Sequence, residues 1–163
     1  MANELETAKK RAMYLLGGRD YSRKELFDKL LKNYSRETCE EAVRQMAEYG
    51  YLDDRRYADK LARKYVEVRK YGKSRAKMMM IQKGLGPSIA DEALSRYSAD
   101  DMVEEITAII EKKYMDKLSV DGAEGMKEMQ KVMAALARRG YSYDHIKKAV
   151  SLAKENAEFE EDW

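Results

Sequence analysis

One cysteine, one histidine, one proline and one tryptophan are all that this 163-residue chain contains of those four residue types. A lone thiol, Cys39, cannot close an intrachain disulfide, and a single imidazole, His145, cannot build a zinc cluster with it, so both are expected to face small cores or solvent. No apolar run approaches the roughly 18 residues that mark a membrane span. The opening MANELETAKKR also lacks the apolar core of a secretory signal, so a cytoplasmic protein with no membrane partner is expected. Short β-branched runs bounded by turn residues are missing, which leaves no basis for a sheet. Glycine-rich phosphate loops, HExxH, GxSxG and CxxC are absent as well. None of the 30 carboxylates stands apart from helix-capping or surface positions, so neither an enzyme nor a cofactor or metal is expected.

What the chain does carry is a repeat. Tyr34-Ser35, Leu85-Gly86 and Tyr141-Ser142 are each followed, eight and nine positions after the first residue, by Ala42-Val43, Ala93-Leu94 and Ala149-Val150, at intervals of 51 and 56 residues. A supersecondary unit copied at such a period buries its apolar face fully only against a neighbour. The expectation is an all-α monomer of three tandem three-helix, helix-turn-helix-like repeats forming an elongated, curved array. The repeats should span 1–50, 51–97 and 98–155, leaving an acidic tail, 156–163, too polar to pack and expected to fray.

Local signals place the helices. Leu5, Ala8, Ala12, Leu15 and Leu16 keep helical spacing up to Gly17-Gly18. Ser22 with Glu25 forms a capping box ahead of a stripe of Leu26, Phe27, Leu30 and Leu31. Ser35 caps a third helix with Cys39, Ala42, Val43 and Met46 inward, stopped at Gly50. Asp53 and Asp54 put negative charge at the next N-terminus, and a stripe from Tyr57 through Leu61 to Tyr65 and Val66 runs on until Gly72 breaks it. A helix from Ser74 to Lys83 ends at Gly84, and Pro87 opens another that carries Ile89, Ala90, Ala93 and Leu94. The third repeat has stripes of Val103, Ile106, Ile109 and Ile110, then Met129, Val132, Met133 and Leu136, then Ile146, Ala149, Val150 and Ala153. A looser stretch lies around Gly122 and Gly125.

Net charge is only +2, yet it is graded along the chain. Residues 1–50 hold ten Lys/Arg against nine Asp/Glu, residues 51–97 twelve against six, and residues 98–163 ten against fifteen. An anionic partner is therefore steered to the middle. There Arg69, Lys70, Lys73, Arg75 and Lys77 crowd the turn RKYGKSRAK without an acidic residue, Arg63 and Lys64 precede them, and Lys83 follows. Cations in this density, next to the free amides of a helix N-terminus, suit a phosphate backbone, which gains entropy from released counterions. A solvated turn explains the same letters equally well. Met78, Met79 and Met80 cannot all face one core, and they read as loose packing rather than an adaptable contact surface. The tyrosines around helix junctions, Tyr21, Tyr34, Tyr49, Tyr51 and Tyr57, read as core cover with wet hydroxyls rather than base-stacking platforms.

Leu15-Leu16 followed by RDYSRKELFDKLL, then GYLDDRRYA from Gly50, then GKSRAKMMMIQKGL from Gly72, resemble in that order and spacing the successive motifs of the RecX regulators of the recombinase RecA. The match lies chiefly over residues 8–97. It rests on Tyr21, Ser22 and Leu26, on Leu52, Asp53, Asp54, Arg56, Tyr57 and Ala58, and on Gly72, Arg75, Gln82, Lys83 and Gly84. The chain departs from the family at Ala76, where an apolar residue is usual, and at Met79, where an acidic one is. The resemblance implies a non-enzymatic modulator that binds the RecA filament on single-stranded DNA. It further implies restraint of strand exchange, ATP hydrolysis and co-protease activity in recombination, repair and the SOS response. Two rival readings are a sequence-specific helix-turn-helix DNA-binding protein and a helical scaffold that touches no nucleic acid.

Overall fold

A computed structural model describes residues 2–161. Among these residues there is no strand. Ten helices follow one another: α1 (Ala2–Gly18), α2 (Arg23–Leu31), α3 (Arg36–Glu48), α4 (Asp54–Arg63), α5 (Lys73–Gln82), α6 (Pro87–Leu94), α7 (Ala99–Lys113), the short α8 (Met115–Leu118), α9 (Gly122–Arg138) and α10 (Tyr143–Glu161). In each repeat the first helix packs on the last: α1 on α3, α4 on α6 and α7 on α10. The chain divides into two compact units. One holds the residues up to Lys64 together with Lys77–Leu94, and the other holds Tyr65–Ala76 together with everything from Ser95 onward. The middle repeat is thus shared between them, and α5 contributes residues to both.

In the first unit, small residues set the helix spacing. Ala8 and Ala12 on α1 and Cys39 and Ala42 on α3 are fully buried, and with Leu15, Leu26, Leu30, Val43, Met46 and Leu52 they form one core. Each of the larger side chains contributes roughly 2 kcal/mol by leaving water. The capping box forms, with Glu25 N–H donating to Ser22 Oγ and Ser22 N–H donating to the Glu25 carboxylate, both at 3.0 Å. Leu31 departs from the expected stripe: it is exposed, because α2 is only nine residues long and its inward face is already filled by Leu26 and Leu30. Ser22 does more than cap. Its side chain is fully buried, and Oγ donates to the carbonyl of Lys83 at 2.5 Å, tying the first repeat to the end of α5. Beside it a Cβ on Gly84, whose φ is +91°, would lie 2.7 Å from Lys24 Cβ. Arg23 N–H donates to Asp54 Oδ1 at 2.9 Å, joining α2 to the start of α4.

The stripe on α4 does not run straight to Gly72. After Arg63 the backbone widens into a π-helical turn, Lys64–Val68, whose extra residue per turn lets adjacent Tyr65 and Val66 both be buried while Val68 is 73% exposed. Met80 is fully buried and Met78 exposed, consistent with three methionines that cannot share one face. In the second unit, Met102, Ile106 and Ile110 of α7, Val132 and Leu136 of α9 and Ile146, Ala149 and Ala153 of α10 form the core. The loose stretch around Gly122 condenses into α8 and the first turn of α9. Over the first part of the acidic tail, α10 continues as helix to Glu161. Its last turns simply extend a helix whose inward residues end near Ala153. Of the acidic-aromatic FEEDW end, residues 162 and 163 lie outside the described residues.

Replacing Ser22 by Ala removes a helix cap and leaves the part-buried Lys83 carbonyl without its donor. The expected cost is about 2 kcal/mol. Urea unfolding should show a lower midpoint with an unchanged slope, whereas an unaltered midpoint would mean that the Ser22–Lys83 tie is not needed.

Candidate nucleic-acid interface

The basic stretch begins where the π-helical turn must end. Tyr71 N–H donates back to the carbonyl of Tyr65 at 2.8 Å, closing the turn. To do so the chain passes through Lys70 at φ +59°, the one left-handed non-glycine among the described residues. Such a conformation costs on the order of 1 kcal/mol or more and needs outside support. The support comes from residues about seventy positions on. Tyr141 Oη–H donates to the Lys70 carbonyl at 2.9 Å, and Arg139 Nη1 donates to the same oxygen at 3.2 Å and to the Arg69 carbonyl at 3.3 Å. One residue later Gly72 N–H donates to the Arg139 carbonyl at 2.7 Å.

Glycine is required on both sides of this contact. A Cβ on Gly72 would lie 2.2 Å from the carbonyl carbon of Gly140, and one on Gly140, where φ is +95°, would lie 2.5 Å from Arg75 Cβ. Arg75 completes the closure. Its guanidinium carbon stands 4.1 Å from the centre of the Tyr71 ring, which stacks on Tyr65, and its Nη1 donates to the Arg138 carbonyl at 3.4 Å. Desolvation raises the Tyr141 hydroxyl well above the usual tyrosine range; Glu105 adds to the rise and Arg139 opposes it.

The eight cations expected at the interface fall out differently from their order in the chain. Arg69, Lys70, Lys73 and Arg75 belong to the second unit, and Arg63, Lys64, Lys77 and Lys83 to the first. Two of the five in the densest run are neutralised by carboxylates that the local sequence does not show: Lys70 pairs with Glu105 at 2.6 Å and Lys77 with Asp91 at 2.9 Å. The run is therefore not unopposed. Arg63 and Lys64 are exposed where α4 passes into the π-helical turn, while Lys83 is half-buried and its carbonyl is taken by Ser22. The fold also delivers two cations that the sequence reading passed over, Arg138 and Arg139. The signal for them is short: two consecutive arginines at a helix end, followed by glycine, with no acidic residue until Asp144.

Among the described residues no group of three or more His, Cys, Asp or Glu side chains could hold a metal ion, and no helix is long and apolar enough to cross a membrane. The exposed tyrosines Tyr49 and Tyr51 meet edge to face at 6.2 Å in the first unit.

Residues 8–46, 53–94 and 99–150 match the models of the first, second and third three-helix domains of RecX. The chain is 34% identical over 151 residues to the regulatory protein RecX of Vibrio campbellii, spanning 92% of this chain and 94% of that one. It is 31% identical over 140 residues to the regulatory protein RecX of Trichlorobacter lovleyi, spanning 83% and 88%. The fold matches the crystal structure of RecX from Lactobacillus salivarius with a TM-score of 0.86 at 22% identity, over 94% of this chain and 99% of that one. At that identity the likeness concerns the fold alone.

Because the folded chain disfavours the Tyr141 phenolate, its contribution to stability is complete below the unfolded pKa of about 10 and is lost as pH rises beyond it. Thermal unfolding between pH 9 and pH 12 should show a steeper alkaline loss for the parent than for Tyr141→Phe. Removing the hydroxyl should itself cost about 1 kcal/mol at neutral pH. Parallel pH profiles would show that the hydroxyl is not held as described.

Proposed function

The chain belongs to the RecX family of regulatory proteins, and from that premise we propose that it binds the filament formed by RecA on single-stranded DNA and restrains its strand exchange, ATP hydrolysis and co-protease activity. The observation that carries this reading is the run of three consecutive RecX domain matches along one chain. Such a regulator works by binding alone. A ligand that prefers one conformational state of the filament shifts the filament toward that state, and hydrolysis falls without any chemistry on the regulator's side. Three repeats on one chain also offer several contact surfaces, so modest contacts combine into high effective affinity. The cations left without carboxylate partners are the part of the surface suited to phosphates, and counterion release then makes the contact sensitive to salt and tolerant of sequence.

Titrating the protein into RecA hydrolysing ATP on single-stranded DNA tests the reading. Inhibition is expected at amounts well below one molecule per recombinase subunit, and unchanged hydrolysis with the protein in molar excess would reject it. Binding to a single-stranded oligonucleotide should lose about 0.7 of log-log salt slope on Lys73→Ala or Arg75→Ala. Lys77→Ala should leave the slope as it is, since Asp91 already neutralises that charge. Binding that depends on a particular sequence would favour the helix-turn-helix rival instead.

A further inference from the structure

Arg69–Arg75 and Arg138–Tyr141 are more than sixty residues apart in the chain, one in its basic middle and the other in its acidic last third. In the fold they run against each other, held by hydrogen bonds from Gly72, Arg75, Arg139 and Tyr141 and by the bare approach of Gly72 to Gly140. We propose that Arg138 and Arg139 join Arg69, Lys73 and Arg75 in one cradle for the phosphodiester backbone of single-stranded nucleic acid, with Tyr141 as the residue that positions the two cationic segments. This rests on the reading of the protein as a partner of DNA-bound RecA, and it deepens that reading by naming the residues that meet the strand.

Charge accounting singles out these five. Arg75 and Arg139 make their contacts with carbonyl oxygens or an aromatic ring, which are neutral, so no carboxylate compensates either guanidinium. Among the described residues none of Arg69, Lys73, Arg75, Arg138 and Arg139 makes an ion pair, whereas Lys70, between Arg69 and Lys73, spends its charge on Glu105. Five like charges on two touching segments raise the local potential, and an anion relieves it. A guanidinium fork matches a phosphate's oxygens in pairs, and a backbone with one charge per nucleotide can engage several forks in succession. Arg138 is of particular use in a test: its side chain is exposed, and its bond to Arg75 is made by its backbone carbonyl. Tyr141 carries no charge toward the strand. Its part is to hold the Lys70 carbonyl, and with it the spacing of Arg69 and Lys73 from Arg138 and Arg139.

The experiment uses the full chain and a fluorescein-labelled oligothymidylate, titrated between 50 and 200 mM salt. Five contacts give a log-log slope of about −3.5, so the parent should weaken about 130-fold over that range. Arg138→Ala should weaken about 50-fold, and the double variant with Lys73→Ala about 20-fold. Tyr141→Phe keeps every charge, so a merely structural role would lower melting temperature and leave the slope at the parent value. Positioning predicts weaker binding with a flatter slope at unchanged charge, and an unchanged slope overturns the role given to Tyr141. If Arg138→Ala keeps the parent slope while Lys73→Ala and Arg75→Ala flatten it, the cradle is wrong although the protein still binds nucleic acid. If the parent itself shows no salt-dependent binding, the nucleic-acid contact falls as a whole. Competition by polyglutamate as strong as by unlabelled oligothymidylate would assign these cations to an acidic protein surface and overturn the proposal.

Discussion

Two backbones touch where Gly72 meets Gly140, and the presentation of the unpaired cations depends on that contact. No side chain larger than hydrogen fits on either side of it. Because the segments approach so closely, Gly72 N–H reaches the Arg139 carbonyl, Arg139 reaches two carbonyls of the basic loop, and Tyr141 steadies the left-handed Lys70. Each bond is worth about 1 kcal/mol net. Together they hold a loop that carries several like charges and that would otherwise spread to relieve its own repulsion. A cationic loop held in this way can offer a fixed spacing to an anion, and a free one would first have to lose conformational entropy.

The first unit solves the corresponding problem with the same means. Gly84, also left-handed, leaves room for Lys24 and Ser22, and the Ser22 hydroxyl bonds the Lys83 carbonyl. In both cases a glycine at the end of a helix or loop of the middle repeat admits a neighbour's backbone or short side chain, and a hydroxyl closes on a main-chain carbonyl. The family motif letters around Ser22, Gly72, Arg75, Lys83 and Gly84 are therefore junction chemistry. They set how one repeat's residues meet those of the next, which is the requirement a three-helix unit with a small core imposes.

Ion pairs matter here less for stability than for what they take out of circulation. Exposed pairs such as Lys77–Asp91 contribute at most about 1 kcal/mol. Their consequence is electrostatic: a lysine facing a carboxylate at 2.9 Å offers little to a phosphate. The acidic last third thus acts in two directions, neutralising Lys70 through Glu105 while adding Arg138 and Arg139 beside the basic loop.

The sequence by itself determined the local architecture. Caps at Ser22, Ser35 and Asp53, stops at Gly50 and Gly84, the proline opening α6 and the apolar stripes are all set by interactions within four residues, so their letters are sufficient. The threefold repeat and the family motifs were legible for the same reason. Tertiary structure decided the π-helical turn after Arg63, since burying both Tyr65 and Val66 is a demand of the surrounding core and not of the local pattern. It exposed Leu31, carried α10 on to Glu161, and decided which cations face a carboxylate. Lys70 meets Glu105, and Arg139 meets Lys70, across separations of 35 and 69 residues. Charge pairing depends on distance in space, and over such separations only the folded chain sets that distance.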